Sequence, residues 1–227
     1  MTLSNSLLFE TTIITPGVIP LWLDIGAVAL GALFGATLAN ARQAPLLGVL
    51  LVGILLGFGG SMIRDILLNT DINALVHGRY ITTAVIASII GALMGDRLMR
   101  PAWLFTILDA TVMGLFAVIG TEKALLFGMP ISSALFIGTL TAIGGGIIAD
   151  LLTGVKPDVM SRGPWSASMA LVSACWFIVW FEQGFVRFAE ISSIALCVLL
   201  RAMAIWRGWE APHADHLKPN TWIKRKS

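Results

Sequence analysis

Long apolar runs separated by short polar turns occupy the chain from Leu21 to Trp206. The runs are continuous and do not alternate between apolar and polar positions, which favours transmembrane helices over the strands of an outer-membrane barrel. At about 20 residues per crossing, the pattern predicts an all-α polytopic membrane protein without a soluble domain. The predicted helices number seven and cover residues 21–40, 46–68, 80–98, 103–122, 131–153, 165–182 and 187–206.

The composition supports this fold class. Hydrophobic residues make up 57% of the 227 residues and charged residues only 12%, whereas about a quarter of the residues in soluble domains are charged. Residues 1–20 have neither a basic n-region nor a small-residue cleavage site. We therefore expect an extracytoplasmic N-terminal segment and not a removed signal peptide.

The basic residues lie mainly on one side of the predicted membrane. With the N-terminus outside, the inner side holds eleven Lys and Arg residues, ten in its loops and tail and Arg201 near the inner end of the last helix, and the outer side holds three. The positive-inside rule therefore predicts an outer N-terminus and an inner C-terminus, with residues 207–227 as a cytoplasmic tail. The inner set is Arg42, Arg97, Arg100, Lys156, Arg162, Arg201, Arg207, Lys218, Lys224, Arg225 and Lys226, and the outer set is Arg79, Lys123 and Arg187.

The sequence matches itself without gaps when it is shifted by 85 residues. Asp24 then falls on Asp109, and Asp65 falls on Asp150. Each copy contains three predicted helices, so the second copy enters the membrane in the opposite direction, as in the inverted repeats of many transport proteins. The first copy spans residues 21–98, the inverted second copy spans 103–182, and the helix at 187–206 has no counterpart.

Each copy carries a glycine cluster inside its second helix: "GFGGSMIRDILL" begins at Gly57 and "GGGIIADLL" begins at Gly144. Glycine destabilises a helix by about 1 kcal/mol relative to alanine, and non-helical backbone in a membrane requires surrounding protein or water. We therefore predict broken or kinked helices that line a pathway, with close helix packing through small residues as the alternative. The predicted helix-break residues are Gly57, Gly59, Gly60, Gly144, Gly145 and Gly146.

Charged residues beside the glycines are candidates for a pore or gate. An intramembrane charge faces a cavity or a counter-charge, which assigns this role to Arg64, Asp65 and Asp150. Adjacent helical residues point about 100° apart, so Arg64 and Asp65 are expected to be poor partners for each other. Two interpretations of Arg64 stay open: Asp65 or Asp150 neutralises it, or it is a movable plug. Lys123 is expected to form a local ion pair with Glu122.

Four further polar residues have a structural interpretation beside the functional one. Asp24 and Asp109 are pore acids, or they serve as helix N-terminal caps and salt-bridge partners. Ser61 and Thr141 offer hydroxyl groups to a partly dehydrated ion, or they belong to the helix packing.

These motifs carry a family resemblance. The order of Asp24, "GFGGSMIRDILL", Asp109 and "GTLTAIGGGIIADLL" resembles the prokaryotic branch of the trimeric intracellular cation channels, the TRIC family, a bacterial group that also bears the label "glycine transporter". The resemblance covers roughly residues 22–182. It implies a homotrimer with one ion pathway per protomer, kinks in the second and fifth helices, and permeation by monovalent cations, chiefly potassium. Bacterial relatives commonly have Gly-Gly-x-x-x-Arg-Asp in both halves, whereas here Ala149 stands at the place equivalent to Arg64.

A passive cation channel competes with a secondary carrier for a small solute such as glycine, since both use inverted repeats and discontinuous helices. An enzyme is not expected, because the spans contain no Ser/His/Asp set, zinc-type histidine spacing or phosphate-binding loop. We expect no cofactor, resident metal or nucleic-acid partner. The expected partners are other copies of the chain, membrane lipid and monovalent cations, either potassium or sodium, and the resemblance places the protein in a prokaryotic plasma (inner) membrane.

Overall fold

The computed structural model describes residues 20–99, 101–160 and 166–209. This part of the chain is all-α, with one additional 3-10 turn at Asp158–Met160. The predicted N-terminal segment and cytoplasmic tail lie almost wholly outside the described residues. The helices are α1 (Leu21–Ala41), α2 (Leu46–Leu67), α3 (Asn73–Val76), α4 (Gly78–Met99), α5 (Ala102–Leu126), α6 (Ile131–Leu152), α7 (Ser166–Glu182) and α8 (Val186–Arg207).

Within the described ranges, six of these helices are long and apolar enough to cross a membrane: α1, α2, α4, α5, α6 and α8. Helix α7 is apolar but has only 17 residues. The predicted class, an all-α polytopic membrane protein, is confirmed. The count of seven crossing helices stays a prediction, as do the boundaries of the two copies.

Proline defines where four of the helices begin. Pro20, Pro45, Pro101 and Pro130 occupy the N-cap positions of α1, α2, α5 and α6. Because proline has no N–H to leave unpaired and cannot continue a preceding helix, it suits this position. None of these four helices has a side-chain hydrogen bond at its cap. Neither Asp24 on α1 nor Asp109 on α5 is therefore an N-terminal cap.

The turn that follows α2 has the same backbone geometry as the turn that follows α6, 85 residues later. Asn69 and Gly154 both have a left-handed backbone, with φ of 52° and 71°. The amide of Thr70 donates to the carbonyl of Asp65 at 3.0 Å, and the equivalent bond joins Val155 to the carbonyl of Asp150 at 2.9 Å. The local structure thus follows the offset seen in the sequence.

Helices α2 and α6 cross at their glycine clusters, and the contacts are reciprocal at the same offset. A Cβ atom at Gly145 would lie 2.7 Å from the carbonyl oxygen of Leu56, and one at Gly60 would overlap the carbonyl oxygen of Thr141. Reciprocal contacts of this kind arise when a two-fold relation connects two segments. The same reciprocity relates the pair Gly59 and Ile148 to the pair Gly144 and Ile63.

The glycines do not break their helices. Helix α2 is continuous from Leu46 to Leu67, and α6 is continuous from Ile131 to Leu152. The prediction of a broken helix is therefore wrong at all six glycines. At Gly57, Gly60 and Gly145 the backbone of another helix comes too close for a side chain, so small size and not backbone freedom explains these three. At Gly59 and Gly144 the close neighbour is the end of an isoleucine side chain, and Gly146 has no neighbour within 4 Å. A bend of the helix axis is a separate feature and stays a prediction.

The remaining helices surround this crossing. Helices α1, α2 and α4 pack together, and α5, α6 and α7 form the corresponding group. Helix α8 packs on α5 and α7 at the outside of the second group. The crossing of α2 and α6 therefore lies at the centre of the bundle, between these two groups of helices.

Candidate functional site

Charged residues form two clusters at opposite ends of the bundle, a buried one around Asp65 and a more exposed one around Asp150. The Asp65 cluster comprises Arg64, Asp65 and Lys123, with Asp24 and Tyr80 beside them; the Asp150 cluster comprises Arg42, Asp109, Asp150, Asp158 and Arg201. Asp24 is in the first turn of α1 and Arg42 directly follows the last. At a helical rise of about 1.5 Å per residue, these two positions are about 27 Å apart.

In the Asp65 cluster, one carboxylate binds two cations. Asp65 Oδ1 accepts hydrogen bonds from Arg64 Nε at 2.7 Å and from Lys123 Nζ at 2.8 Å. Its Oδ2 accepts the backbone N–H of Asn73 at 3.2 Å. The side chain of Asp65 is 1% exposed, so both charge-assisted bonds are shielded from water. Charge-assisted hydrogen bonds of this kind are roughly twice as strong as those between neutral groups.

The bond between Arg64 and Asp65 shows that the predicted poor partnership is wrong. The angle of about 100° separates the Cβ directions of adjacent helical residues, but the long stem of Arg64 turns back and places Nε, not the end of the guanidinium, on the carboxylate. Arg64 is 1% exposed, and its NH1 has no hydrogen-bond partner in the part of the chain that the structure describes. Of the two acids considered as its counter-charge, Asp65 is the one in contact, whereas Asp150 binds Arg42.

Lys123 is the functional candidate that the sequence interpretation missed. The expected local pair with Glu122 is wrong, since Lys123 bonds instead to Asp65, 58 positions away in the chain. The available signal was the repeat. Lys123 and Arg42 both stand near the end of the first helix of a copy, and each contacts the motif aspartate of the other copy.

The Asp150 cluster repeats this arrangement with a different cation. Arg42 NH2 lies 2.8 Å from Asp150 Oδ1, and Arg42 NH1 donates to the hydroxyl of Thr153. Asp150 Oδ2 accepts the backbone N–H of Asp158 at 3.1 Å, the counterpart of the bond from Asn73 to Asp65. The two motif aspartates therefore share the pattern of one cation from the other copy and one backbone N–H, but they differ in the cation, in burial and in the arginine that Ala149 replaces.

Asp24 and Asp109, equivalent in the repeat, are both side-chain partners of another helix. Asp24 Oδ2 accepts the hydroxyl of Tyr80 at 2.7 Å, and Asp109 Oδ2 accepts Arg201 NH2 at 2.7 Å. Arg201 NH1 also donates to the hydroxyl of Ser166 at 3.0 Å. Asp109 thus connects α5 to α8 by a salt bridge.

A cavity of about 220 Å³ opens beside the Asp150 cluster and reaches inward to Leu56 at the helix crossing. Its charged lining consists of three carboxylates and two guanidinium groups, which gives a local excess of negative charge that attracts cations. Gly146 faces this space, since a Cβ atom there would meet nothing within 4 Å. The charged lining residues are Arg42, Asp109, Asp150, Asp158 and Arg201.

Ser61 and Thr141 use their hydroxyl groups inside their own helices. Ser61 Oγ donates to the carbonyl of Phe58 at 2.8 Å, and Thr141 Oγ1 donates to the carbonyl of Ile137 at 2.6 Å. Both residues are buried, and the carbonyl of Thr141 lies against Gly60 at the crossing. Among the described residues, no group of three or more His, Cys, Asp or Glu side chains is arranged to hold a metal ion.

The family model, the sequence relatives and the solved structures that match this chain agree with one another. The model of the glycine transporter family matches residues 21–95 and 106–182. A UPF0126 membrane protein of Deinococcus radiodurans is 32% identical over 192 residues, which cover 83% of this chain and 88% of the relative. The UPF0126 membrane protein YvgT of Bacillus subtilis is 31% identical, over 81% of this chain and 91% of its own.

Two solved structures have the same overall fold. The TRIC trimeric intracellular cation channel orthologue from Rhodobacter sphaeroides superposes with a TM-score of 0.76 at 28% identity, over 82% of this chain and 97% of the other. A TRIC cation channel studied for the structural basis of its conductance superposes with a TM-score of 0.73 at 28% identity, over 86% and 97%.

Proposed function

Because this chain belongs to the glycine transporter family and is similar in structure to TRIC cation channels, we propose that it conducts monovalent cations across a membrane. The single observation that carries the proposal is the cavity between the helices, with its excess of carboxylates and its inner end at the α2–α6 crossing. The pathway runs from the Asp150 cluster through this cavity, past Ser61 and Thr141, to the Asp65 cluster.

In this proposal, the two reciprocal ion pairs form the gate that closes the pathway. Lys123 on Asp65 and Arg42 on Asp150 each join one copy to the other. Conduction requires both contacts to separate or to admit an ion between them. Arg64, Asp65 and Asp150 are therefore the gate residues of the proposal, and Ser61 and Thr141 line the narrow part between them.

The finer features of the proposal come from the resemblance and from the distribution of charge. The channel is a homotrimer with one pathway per protomer, made of two inverted three-helix copies, and it passes chiefly potassium. The distribution of basic residues supports an outer N-terminus, and the resemblance supports a prokaryotic plasma membrane. The reciprocal contacts of α2 and α6 support the inverted copies.

One observation favours a second candidate, a carrier for a small zwitterion such as glycine. The cavity offers guanidinium groups at Arg42 and Arg201 for a carboxylate, and carboxylates at Asp109 and Asp150 for an ammonium group.

One experiment separates the two candidates. The purified protein is placed in a planar bilayer under a potassium gradient, and the same preparation is tested for uptake of glycine into proteoliposomes. Unitary currents that reverse near the potassium equilibrium potential support the channel. Saturable glycine uptake without unitary currents would overturn it in favour of the carrier.

A further inference from the structure

Helices α5 and α8 pack antiparallel, and two contacts fix their register. At one end, Asp109 Oδ2 lies 2.7 Å from Arg201 NH2. Further along, a Cβ atom at Gly114 would lie 3.1 Å from Cys197 Cβ. As α5 advances toward its C-terminus, its partners on α8 lie progressively nearer to the N-terminus of α8. The same register places Glu122, two turns beyond Gly114, opposite Glu190.

Both of these carboxyl groups are buried. Glu122 is 2% exposed and Glu190 is 3% exposed. Val118 and Leu125, on the same face of α5 as Glu122, pack against an apolar cluster of α7 and α8 residues. The charged groups that act on Glu122 are Glu190 and Arg187. The carboxyl groups of Glu122 and Glu190 thus face each other at one end of the contact between α5 and α8. At the other end of this contact, an aspartate instead meets an arginine.

The cationic side chains near Glu122 and Glu190 are too few to neutralise both carboxyl groups. Arg187 NH1 binds Glu190 Oε2 at 3.1 Å, but its side chain is 63% exposed. Lys123 is turned to Asp65. On the other packed helices, α7 carries only Glu182 at its last position, and α6 carries only Asp150 near its opposite end.

Two oxygen atoms at this place have no hydrogen-bond partner among the described residues. One is Glu122 Oε2 and the other is Ser193 Oγ, which is fully buried one turn after Glu190 on the same face of α8. A buried polar atom without a partner destabilises the fold, and two carboxylates that face each other across an apolar contact repel each other. A positive charge between the two carboxyl groups removes both costs.

We propose that Glu122 and Glu190 bind one exchangeable monovalent cation, either a proton or an alkali metal ion, and that this cation holds α8 against α5. The site lies apart from the cavity and does not depend on the proposed function. Its occupancy has one consequence for the Asp65 cluster. Glu122 precedes Lys123, so a shift of α5 at Glu122 moves the ammonium group that binds Asp65.

The test is thermal unfolding of the full chain in lipid nanodiscs. One series varies pH at constant potassium, and another replaces potassium by N-methylglucamine at constant pH and ionic strength. The variants are Glu122→Gln, which keeps the volume of the side chain, and Glu182→Gln as an exposed control on α7. Linkage predicts that the wild-type midpoint falls by about 3 °C for each tenfold dilution of the bound cation above its dissociation constant.

The expected result is that wild type and Glu182→Gln lose stability as the cation is withdrawn, while Glu122→Gln does not respond. A response to pH alone identifies a proton, and a response to potassium at constant pH identifies an alkali metal ion. Equal responses of wild type and Glu122→Gln, or no response in wild type, would overturn the proposal. Should Glu122→Gln fail to fold, Glu190→Gln provides the same comparison.

Discussion

Lys123 Nζ lies 2.8 Å from Asp65 Oδ1, and this contact joins the first helix of one copy to the glycine-motif helix of the other. Arg42 makes the reciprocal contact with Asp150, also at 2.8 Å. The two cations are not at equivalent positions, because Arg42 corresponds to Phe127 and stands one helical turn beyond the position of Lys123. Each motif aspartate thus binds a cation near the C-terminal end of a helix in the other copy. The two cations come from different positions of the repeat.

Removal of the lysine tests whether this contact keeps the pathway closed. In Lys123→Gln, Asp65 retains Arg64, so the fold persists while the bond between the copies is lost. A loss of about 1.4 kcal/mol from the closed state raises the ratio of open to closed channels about tenfold, and single-channel recording is expected to show at least this rise in open probability. Arg79→Gln, on an exposed position at the same end, serves as the control. An open probability equal to wild type would show that the pair is structural only.

The helices and their turns can be predicted from the sequence, but the pairs that the charged residues form cannot. Pro45 and Pro130 predict helix starts because a proline ring acts on its own backbone, and the structure begins α2 and α6 directly after them. The partner of Lys123 is 58 positions away, so it depends on how helices cross. Glu122, one position before Lys123, is the nearer acid in sequence but faces α8.

Side-chain reach limits such predictions in the same way. The helical angle between Arg64 and Asp65 describes where their side chains start, not where an arginine ends. Gly60 shows a second limit of prediction from sequence. A glycine that is needed for its backbone conformation cannot be told in sequence from a glycine that is needed because another helix lies close to it. Only the neighbouring helix distinguishes them.

Neutralising the two motif aspartates is expected to affect stability unequally. Asp65→Asn leaves Arg64 and Lys123 without their counter-charge in a buried place, for which a loss of about 3–5 kcal/mol is typical. Asp150→Asn leaves Arg42, whose side chain is 23% exposed, so water replaces part of the lost interaction. Thermal unfolding in nanodiscs should therefore give a clearly lower midpoint for Asp65→Asn than for Asp150→Asn. Equal losses would contradict the assignment of the two clusters to different degrees of burial.

Alanine at two glycines of the motifs should have opposite effects. A Cβ atom at Gly60 would overlap the carbonyl of Thr141, which cannot move without displacing α6. Gly60→Ala is therefore expected to destabilise the fold by at least about 1–3 kcal/mol, the usual cost of overpacking. A Cβ atom at Gly146 would meet nothing within 4 Å. Gly146→Ala is therefore expected to stabilise α6 by up to about 1 kcal/mol, because alanine has a higher helix propensity than glycine. Unfolding midpoints that fall for both variants would contradict the packing interpretation and favour a conformational need for glycine.

The last prediction separates the two interpretations of Arg64. Arg64 and Lys123 together outweigh Asp65 by one positive charge, and the described part of the chain pairs Arg64 through Nε alone. In Arg64→Ala, Asp65 keeps Lys123 and the cluster, which also contains Asp24, loses one positive charge, so the barrier to a cation falls. If Arg64 acts through its field, the unitary conductance rises.

A field effect also has a salt dependence, because the screening length is about 30 Å at 0.01 M but about 3 Å at 1 M salt. The gain in conductance is therefore expected to be largest in dilute potassium and to shrink in concentrated potassium. A movable plug gives a different result, namely a higher open probability at unchanged conductance. If neither quantity changes in Arg64→Ala, the residue has no part in permeation and its burial at 1% exposure is structural.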